Sequence, residues 1–477
     1  MPIASLAICV TVGRQPGIDG EANEPYCCPL CCARILAMPR RFTSALSLLF
    51  AVTALPIGEA PVAAQVLATP GFSSIYTPSP TPADQRDPTG PVGVLLRQRP
   101  ELQPEGFWVE GLHLLPSASV ATIYDSNIFA TQSNPASDVV LHLRPELNAD
   151  NGPGLIRYNL NVYGDIVRYA SHESLDNPNF GTTLGIVGDL ASTLRVESRT
   201  SFLYDHSDPA SFVLPTANGT LTRLPVHHLI GEQVSVIRDI GRWGLGLGGG
   251  YRRETFENIT INGVTFEQSQ LNSNVFDVSP KVTYDLTPLL RGVVRGEYRH
   301  ETDAAGILNS STYTVVTGVD FEFRRLFRGT ATVGYREHVH DSSAFGSVGG
   351  ITYGLDLAWY PSEIVTVTLT GNQDFSDTIL TGARGTPAVT DVKTVQAQVD
   401  CEVLRQVVLS GIVSYENDDY QSTTRRDDAT SAGANLVYTI NRYWIASTQY
   451  RYVTRKSTQP GFSYDRHQAG VVFKLQF

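Results

Sequence analysis

Arg466-His467-Gln468-Ala469-Gly470-Val471-Val472-Phe473-Lys474-Leu475-Gln476-Phe477 is the stretch that decides the fold. Val471, Phe473, Leu475 and Phe477 occupy every second position, with Lys474 and Gln476 between them. Successive strand residues point to opposite faces, so this is a β-strand with one apolar side. The same period runs back through the chain to about residue 106. Val139, Leu141, Leu143 and Leu147 alternate with His142, Arg144, Glu146 and Asn148; Val395, Ala397, Val399 and Cys401 alternate with Gln396, Gln398, Asp400 and Glu402.

A soluble sandwich alternates too, with its apolar faces turned inward. Three features point instead to a transmembrane antiparallel up-and-down β-barrel with apolar faces outward. The segments are often 11–15 residues long, where soluble strands run about 5–6 and a tilted bilayer-spanning strand needs roughly 9–11. Connections alternate in length. Short turns such as Asn151-Gly152-Pro153-Gly154, Asp239-Ile240-Gly241-Arg242 and Ile440-Asn441-Arg442 separate longer polar loops at 206–226, 257–273, 376–390 and 420–430. Aromatics including Tyr251, Tyr284, Tyr298, Trp359, Tyr443 and Trp444 gather near segment ends, as interfacial girdles do.

The pattern predicts strands at 112–124, 138–150, 154–170, 179–190, 193–205, 227–240, 243–256, 274–285, 289–301, 311–324, 328–340, 350–360, 363–375, 391–404, 406–419, 430–441, 443–456 and 464–477. That makes about 18, an even number that puts every short turn on the periplasmic side. An alternating strand that ends on an aromatic resembles the assembly signal of bacterial outer-membrane proteins. Val471, Phe473, Leu475 and Phe477 are the residues expected to carry it.

The N-terminal part has a different composition. Met38-Pro39-Arg40-Arg41-Phe42 leads into an apolar run from Ala45 to Leu55, and Val62-Ala63-Ala64 offers small residues before Gln65. Residues 38–64 read as a signal peptide. Residues 1–37 then precede the export signal and read as an upstream extension from a start codon placed too early, with five of the six cysteines. Cys28-Pro29-Leu30-Cys31 has CxxC spacing, yet the remainder keeps only Cys401 and can form no internal disulfide. Residues 65–105 are proline-rich, as in Thr77-Pro78-Ser79-Pro80-Thr81-Pro82, and read as a flexible periplasmic lead-in without a plug domain. The barrel takes up 106–477.

The net charge of −11 lacks the basic footprint of a nucleic-acid binder. With 17% charged residues, 41 Gly and 21 Tyr, the composition favours strands. No run of 18 apolar residues marks a helical span. Neither a G-x-S-x-G element nor a nucleophile beside a histidine is found, so no enzyme is expected. His206 with Asp205 and Ser207 reads as loop. Gly244 to Gly250 lacks a following Lys-Ser/Thr and is no phosphate loop. No cofactor is expected. His338, His340 and Asp341, and the pair His227-His228, read as polar residues at strand ends, not as metal ligands.

The opening of the barrel, Leu114-Leu115-Pro116-Ser117-Ala118-Ser119-Val120-Ala121-Thr122-Ile123-Tyr124-Asp125-Ser126-Asn127-Ile128-Phe129, resembles that of the Putative beta-barrel porin 2 family. The residues that carry the likeness are Pro116, Tyr124, Asp125 and Asn127. Asp125 and Asn127 are also good turn residues. The resemblance implies an outer-membrane barrel associated with exopolysaccharide or capsule production. Export of an extracellular polysaccharide, with periplasmic export proteins as partners, is therefore the expected function. The alternatives are a general or selective diffusion porin for small solutes, and a closed barrel that anchors an envelope assembly. Outer-membrane lipid, lipopolysaccharide and the barrel assembly machinery are expected partners.

Arg291, Arg295, Glu297 and Arg299 alternate along one segment, and Glu322, Arg324 and Arg336 follow. A lipid-facing arginine at mid-membrane costs about 2–4 kcal/mol, so these side chains are expected in the lumen, as mutually compensating charges of a wet interior or as a charge ladder that selects solutes or guides an acidic glycan. Glu416, Asp418, Asp419, Asp427 and Asp428 are expected in acidic outer loops, where solvation is the simpler account of them and bridging of lipopolysaccharide through divalent cations the alternative.

Overall fold

Long alternating segments joined by short turns can only pair with their chain neighbours, and these do. The structure, a computed structural model, describes residues 92–477 apart from 207, 209–223, 225, 262–263, 268, 270–271, 305, 307–308, 343–346, 381–385 and 422. The barrel strands are β1 Leu112–Asp125, β2 Asp138–Asp150, β3 Ile156–Tyr169, β4 Asn177–Ala191, β5 Leu194–His206, β6 Val226–Ile240, β7 Trp243–Phe256, β8 Ser273–Thr287 and β9 Leu290–Asp303. They continue as β10 Ser310–Phe323, β11 Phe327–His340, β12 Val348–Ser362, β13 Val365–Leu380, β14 Thr386–Leu404, β15 Val407–Tyr420, β16 Arg426–Thr439, β17 Trp444–Ser457 and β18 Tyr464–Gln476. Each is antiparallel to the next, and β18 returns to pair with β1 from Ser117↔Gln476 to Asp125↔Gln468. The sheet is closed and keeps no barrel edge. Among the described residues no helix is long and apolar enough to cross a membrane.

The shortest barrel strands have 13 residues. At a rise of about 3.4 Å per residue and a tilt near 40°, such a strand climbs about 34 Å, more than the ~25 Å apolar band of these barrels. The apolar faces point outward, as the sequence predicts. Val139, Leu141 and Leu143 are exposed on the outer wall, while His142, Arg144 and Glu146 between them face the lumen. Two aromatic girdles bound the band. Tyr298–Tyr313 and Phe180–Phe202 lie toward the long loops, with ring centroids 5.2 and 6.2 Å apart. Trp243–Tyr284 and Phe327–Trp359 lie toward the short turns, at 4.7 and 6.0 Å.

The predicted strands all form, and the differences are in the loops. β13 and β14 run on to Leu380 and from Thr386, so most of the loop expected at 376–390 is a projecting hairpin. β16 begins at Arg426, inside the loop expected at 420–430. Above the membrane both strand faces are wet, so no apolar alternation marks where such strands continue. The loop 257–273 contains a small hairpin of Ile259–Ile261 with Val264–Phe266.

The lead-in also differs from a free tether. Residues 1–91, including the proposed signal peptide and the CxxC pair, lie outside the described residues. From Val92 the chain is docked on the barrel. Short 3-10 turns form at Val94–Leu96 and Pro100–Leu102, and Phe107–Val109 pairs with the start of β1. Val94 is fully buried, and its N–H donates to Thr366 Oγ1 at 2.9 Å. The prolines that argue against helix and strand do not prevent a strap held by side chains.

Candidate functional site

The lumen wall holds most of the charge ladder. The cross-strand register puts Arg291, Arg295, Glu297 and Arg299 of β9 on the inner face, opposite the outward Val294 and Tyr298. Glu322 of β10 and Arg336 of β11 face the same way. Arg324 does not join them. It sits in the turn after β10 with a φ of 51°, its guanidinium 5.2 Å from the Phe323 ring. Alternation through Glu322 runs past the strand end at Phe323, and the turn carries Arg324 to the rim.

These charges are largely paired. Arg299 donates to Glu297 at 2.6 Å and Arg328 to Glu322 at 3.1 Å. Arg291 pairs with Asp285, and Arg336 pairs with Asp374 on β13 while donating to Thr314 Oγ1 at 2.9 Å. Arg295 on β9 and Arg199 on β5 also face the lumen, are exposed, and have no carboxylate partner among the described residues. Water therefore reaches the wall between them. On the inner face of β7, Gly244, Gly246, Gly248 and Gly250 leave no side chains, and Ser279 of β8 approaches the space a Cβ at Gly248 would fill.

The expected acidic loop residues divide between two faces. Glu416, Asp418 and Asp427 lie on strands and face inward. Arg455 donates to Asp418 at 3.2 Å, and Arg425 and Arg455 both bind Asp427. Only Asp419 and Asp428 point outward, and Asp428 accepts from Tyr415 Oη at 2.6 Å and Asn417 at 2.8 Å. Burial under neighbouring strands, not solvation, sets the place of the first three. His338 and His340 stack edge to face 4.9 Å apart on the inner side of β11. His338 Nδ1 shares a hydrogen bond of 2.8 Å with Thr312. No group of three metal-ligating side chains occurs among the described residues. His206 ends β5 with its ring nitrogen 3.0 Å from Asn179 Oδ1.

The opening motif turns out to be the seam. Asp125 is buried at the top of β1 and accepts from Arg466 Nε, Gln468 Nε2 and the Asn127 N–H at 2.8, 2.8 and 2.9 Å. Ser126 and His467 exchange two bonds, N–H to O at 2.9 Å and N–H to Oγ at 2.8 Å. Asn127 Nδ2 donates to Asp465 O at 3.1 Å. Asp125-Ser126-Asn127 thus stitches the first strand to the last. Ile128 turns inward and packs with Leu175 and Leu224 in a small apolar cluster. Tyr124 belongs to the outer girdle, with 48% of its surface exposed. At the opposite end of the seam the Phe477 N–H donates to Pro116 O at 3.1 Å. Val471, Phe473 and Phe477 are exposed on the outer wall above this contact.

The strap from Val92 lies on the rim at the short turns. Arg97 and Arg99 both donate to Glu402, at 2.8 and 3.0 Å, Arg405 pairs with Glu101, and Arg442 pairs with Glu105. Arg405 holds the Glu101 carboxyl below its ordinary value.

A closed 18-strand sheet with an apolar outer band, two girdles and a wet, charged interior defines an outer-membrane β-barrel of the porin type. The family described as Putative beta-barrel porin 2 matches residues 99–477, and the chain belongs to it. A comparison with curated protein sequences gave no match. Among solved structures, OccAB4 of Acinetobacter baumannii is 13% identical, with 80% of this chain and 100% of that one covered and a TM-score of 0.42. OpdL of Pseudomonas aeruginosa is 12% identical over 77% and 99%, with a TM-score of 0.43. OpdO of Pseudomonas aeruginosa is 12% identical over 77% and 98%, also at 0.43.

Proposed function

We propose that this barrel is a diffusion porin for small solutes. The observation that carries this reading is the chemistry of the inner wall, where paired charges are interrupted by the exposed, unpaired guanidiniums of Arg199 and Arg295. Such a wall is wet and selects by charge. It passes ions and small polar molecules without chemistry, so the protein is a channel and not an enzyme.

Polysaccharide export, the reading implied by the opening motif, has less support. A glycan pathway favours flat aromatic platforms along the lumen. Of the four tryptophans, Trp243, Trp359 and Trp444 are on the outer wall and Trp108 is at the rim beside His113. The inward Tyr163 has its face covered by Arg144, 3.8 Å from the ring centroid. A closed structural barrel fits poorly with the solvent-exposed lumenal arginines. The terminal face of Val471, Phe473, Leu475 and Phe477 is the segment we assign to recognition by the assembly machinery. Lipid and lipopolysaccharide would meet the outer wall. Liposome swelling tests the porin reading. Uptake of small sugars and amino acids that falls steeply with solute size supports it, and impermeable liposomes refute it.

A further inference from the structure

The turn between β10 and β11 is conformationally costly without being needed for pairing. Phe323 pairs with Phe327, and the Leu326 N–H donates to Phe323 O at 2.9 Å. Both central residues, Arg324 and Arg325, have positive φ, 51° and 55°. This primed hairpin turn is the natural place for Asn-Gly, since side chains with a Cβ resist the left-handed region. Two consecutive arginines there are a local outlier, and such outliers persist where the side chains serve something else.

The surroundings indicate what that is. The other guanidiniums in the short turns are spent. Arg242 donates to the Asp285 and Leu286 carbonyls, Arg405 pairs with Glu101, and Arg442 pairs with Glu105. Arg324 and Arg325 are exposed and, among the described residues, paired with no carboxylate; Glu322 beside them faces inward and is taken by Arg328. On the outward side lies an apolar platform. Phe323 and Leu289 are each 54% exposed, and Phe327 and Trp359 stack with planes 7° apart. The Arg324 guanidinium leans onto the Phe323 ring, hence toward the lipid side.

We propose that Arg324 and Arg325 form a docking site for the headgroup of an anionic phospholipid of the inner leaflet. The two planar forks hold the phosphate, and the acyl chains lie over Phe323, Phe327 and Trp359. Guanidinium pairs bind phosphate through several charge-assisted hydrogen bonds, which a single surface cation cannot match. The apolar platform makes a lipid the occupant, because a soluble acidic peptide would leave that aromatic surface bare. The site depends on the short turns facing the periplasm, and it does not depend on what the lumen carries.

The test is native mass spectrometry of the full chain released from nanodiscs of phosphatidylethanolamine and phosphatidylglycerol. Wild type should retain phosphatidylglycerol in preference to phosphatidylethanolamine. Arg324→Asn/Arg325→Gly should lose that preference about tenfold with conductance unchanged. This variant carries the favoured turn residues, so it should melt no lower than wild type, which separates lost binding from misfolding. Arg324→Gln/Arg325→Gln, which keeps the strained turn, should lose the lipid equally. Equal retention by wild type and variants overturns the proposal, as does displacement of the bound lipid by a soluble acidic peptide.

Discussion

Replacing Asp125 by Ala should unlock the seam of the barrel. Asp125 is buried and accepts three hydrogen bonds, one of them from Arg466, whose guanidinium lies as close as 2.6 Å. Removing one partner of a buried ion pair leaves an uncompensated charge and costs about 3–5 kcal/mol. Here Asp208, 3.5 Å from Arg466, offers partial compensation. The lower end, about 3 kcal/mol, is therefore expected. With a urea slope of about 3 kcal/mol per M, the unfolding midpoint should fall by about 1 M. The assay is urea unfolding in detergent micelles, followed by the heat-modifiable shift of the folded band. Asp125→Ala/Arg466→Met should recover most of the loss, because the buried guanidinium goes with its buried partner and Asp208, which also loses Arg466, is about one-third exposed to water. A single variant within about 0.5 kcal/mol of wild type would refute the seam argument, since that is the range of an ordinary surface substitution.

Three further outcomes follow from the rim and the lumen. Glu402→Gln removes the acceptor shared by Arg97 and Arg99, so trypsin should cut after Arg97 several-fold faster while the barrel stays resistant. The contact of Glu101 with Arg405 should respond to acid. The Glu101 pKa is depressed below its ordinary 4.5 in the folded protein, so this contact contributes fully above about pH 4.5 and is lost as pH falls through the lowered value. Proteolysis of the strap with an acid-active protease should therefore rise only below pH 4.5. Arg295→Glu should move ion selectivity toward cations. Reversing a charge at about 8 Å in water is worth about 1 kcal/mol before screening. Screening at 0.1 M leaves about a twofold gain for K+ and an equal loss for Cl−, hence about a fivefold rise in the K+/Cl− permeability ratio, read from the reversal potential in a salt gradient.

Strand number and sidedness were legible because a period of two survives any local exception, and the even count is checked by the short turns. The inward placement of Arg291, Arg295 and Arg299 follows from the same period and the cost of charge in lipid. Arg324 escaped it because an Arg-Arg pair carries no turn signal, unlike Asn-Gly. The seam role of Asp125 was hidden because its partner Arg466 is 341 positions away. The strap was hidden for a related reason. Arg97 and Arg99 meet Glu402 across some 300 residues, and proline-rich sequence shows no period by which docking could be read.

Single-channel recording of the purified protein in a planar bilayer tests the central claim most directly. The porin reading predicts stable conductance steps that scale with salt and are not blocked by added polysaccharide. Steps that polysaccharide blocks, or a folded, heat-modifiable barrel that never conducts, would contradict it.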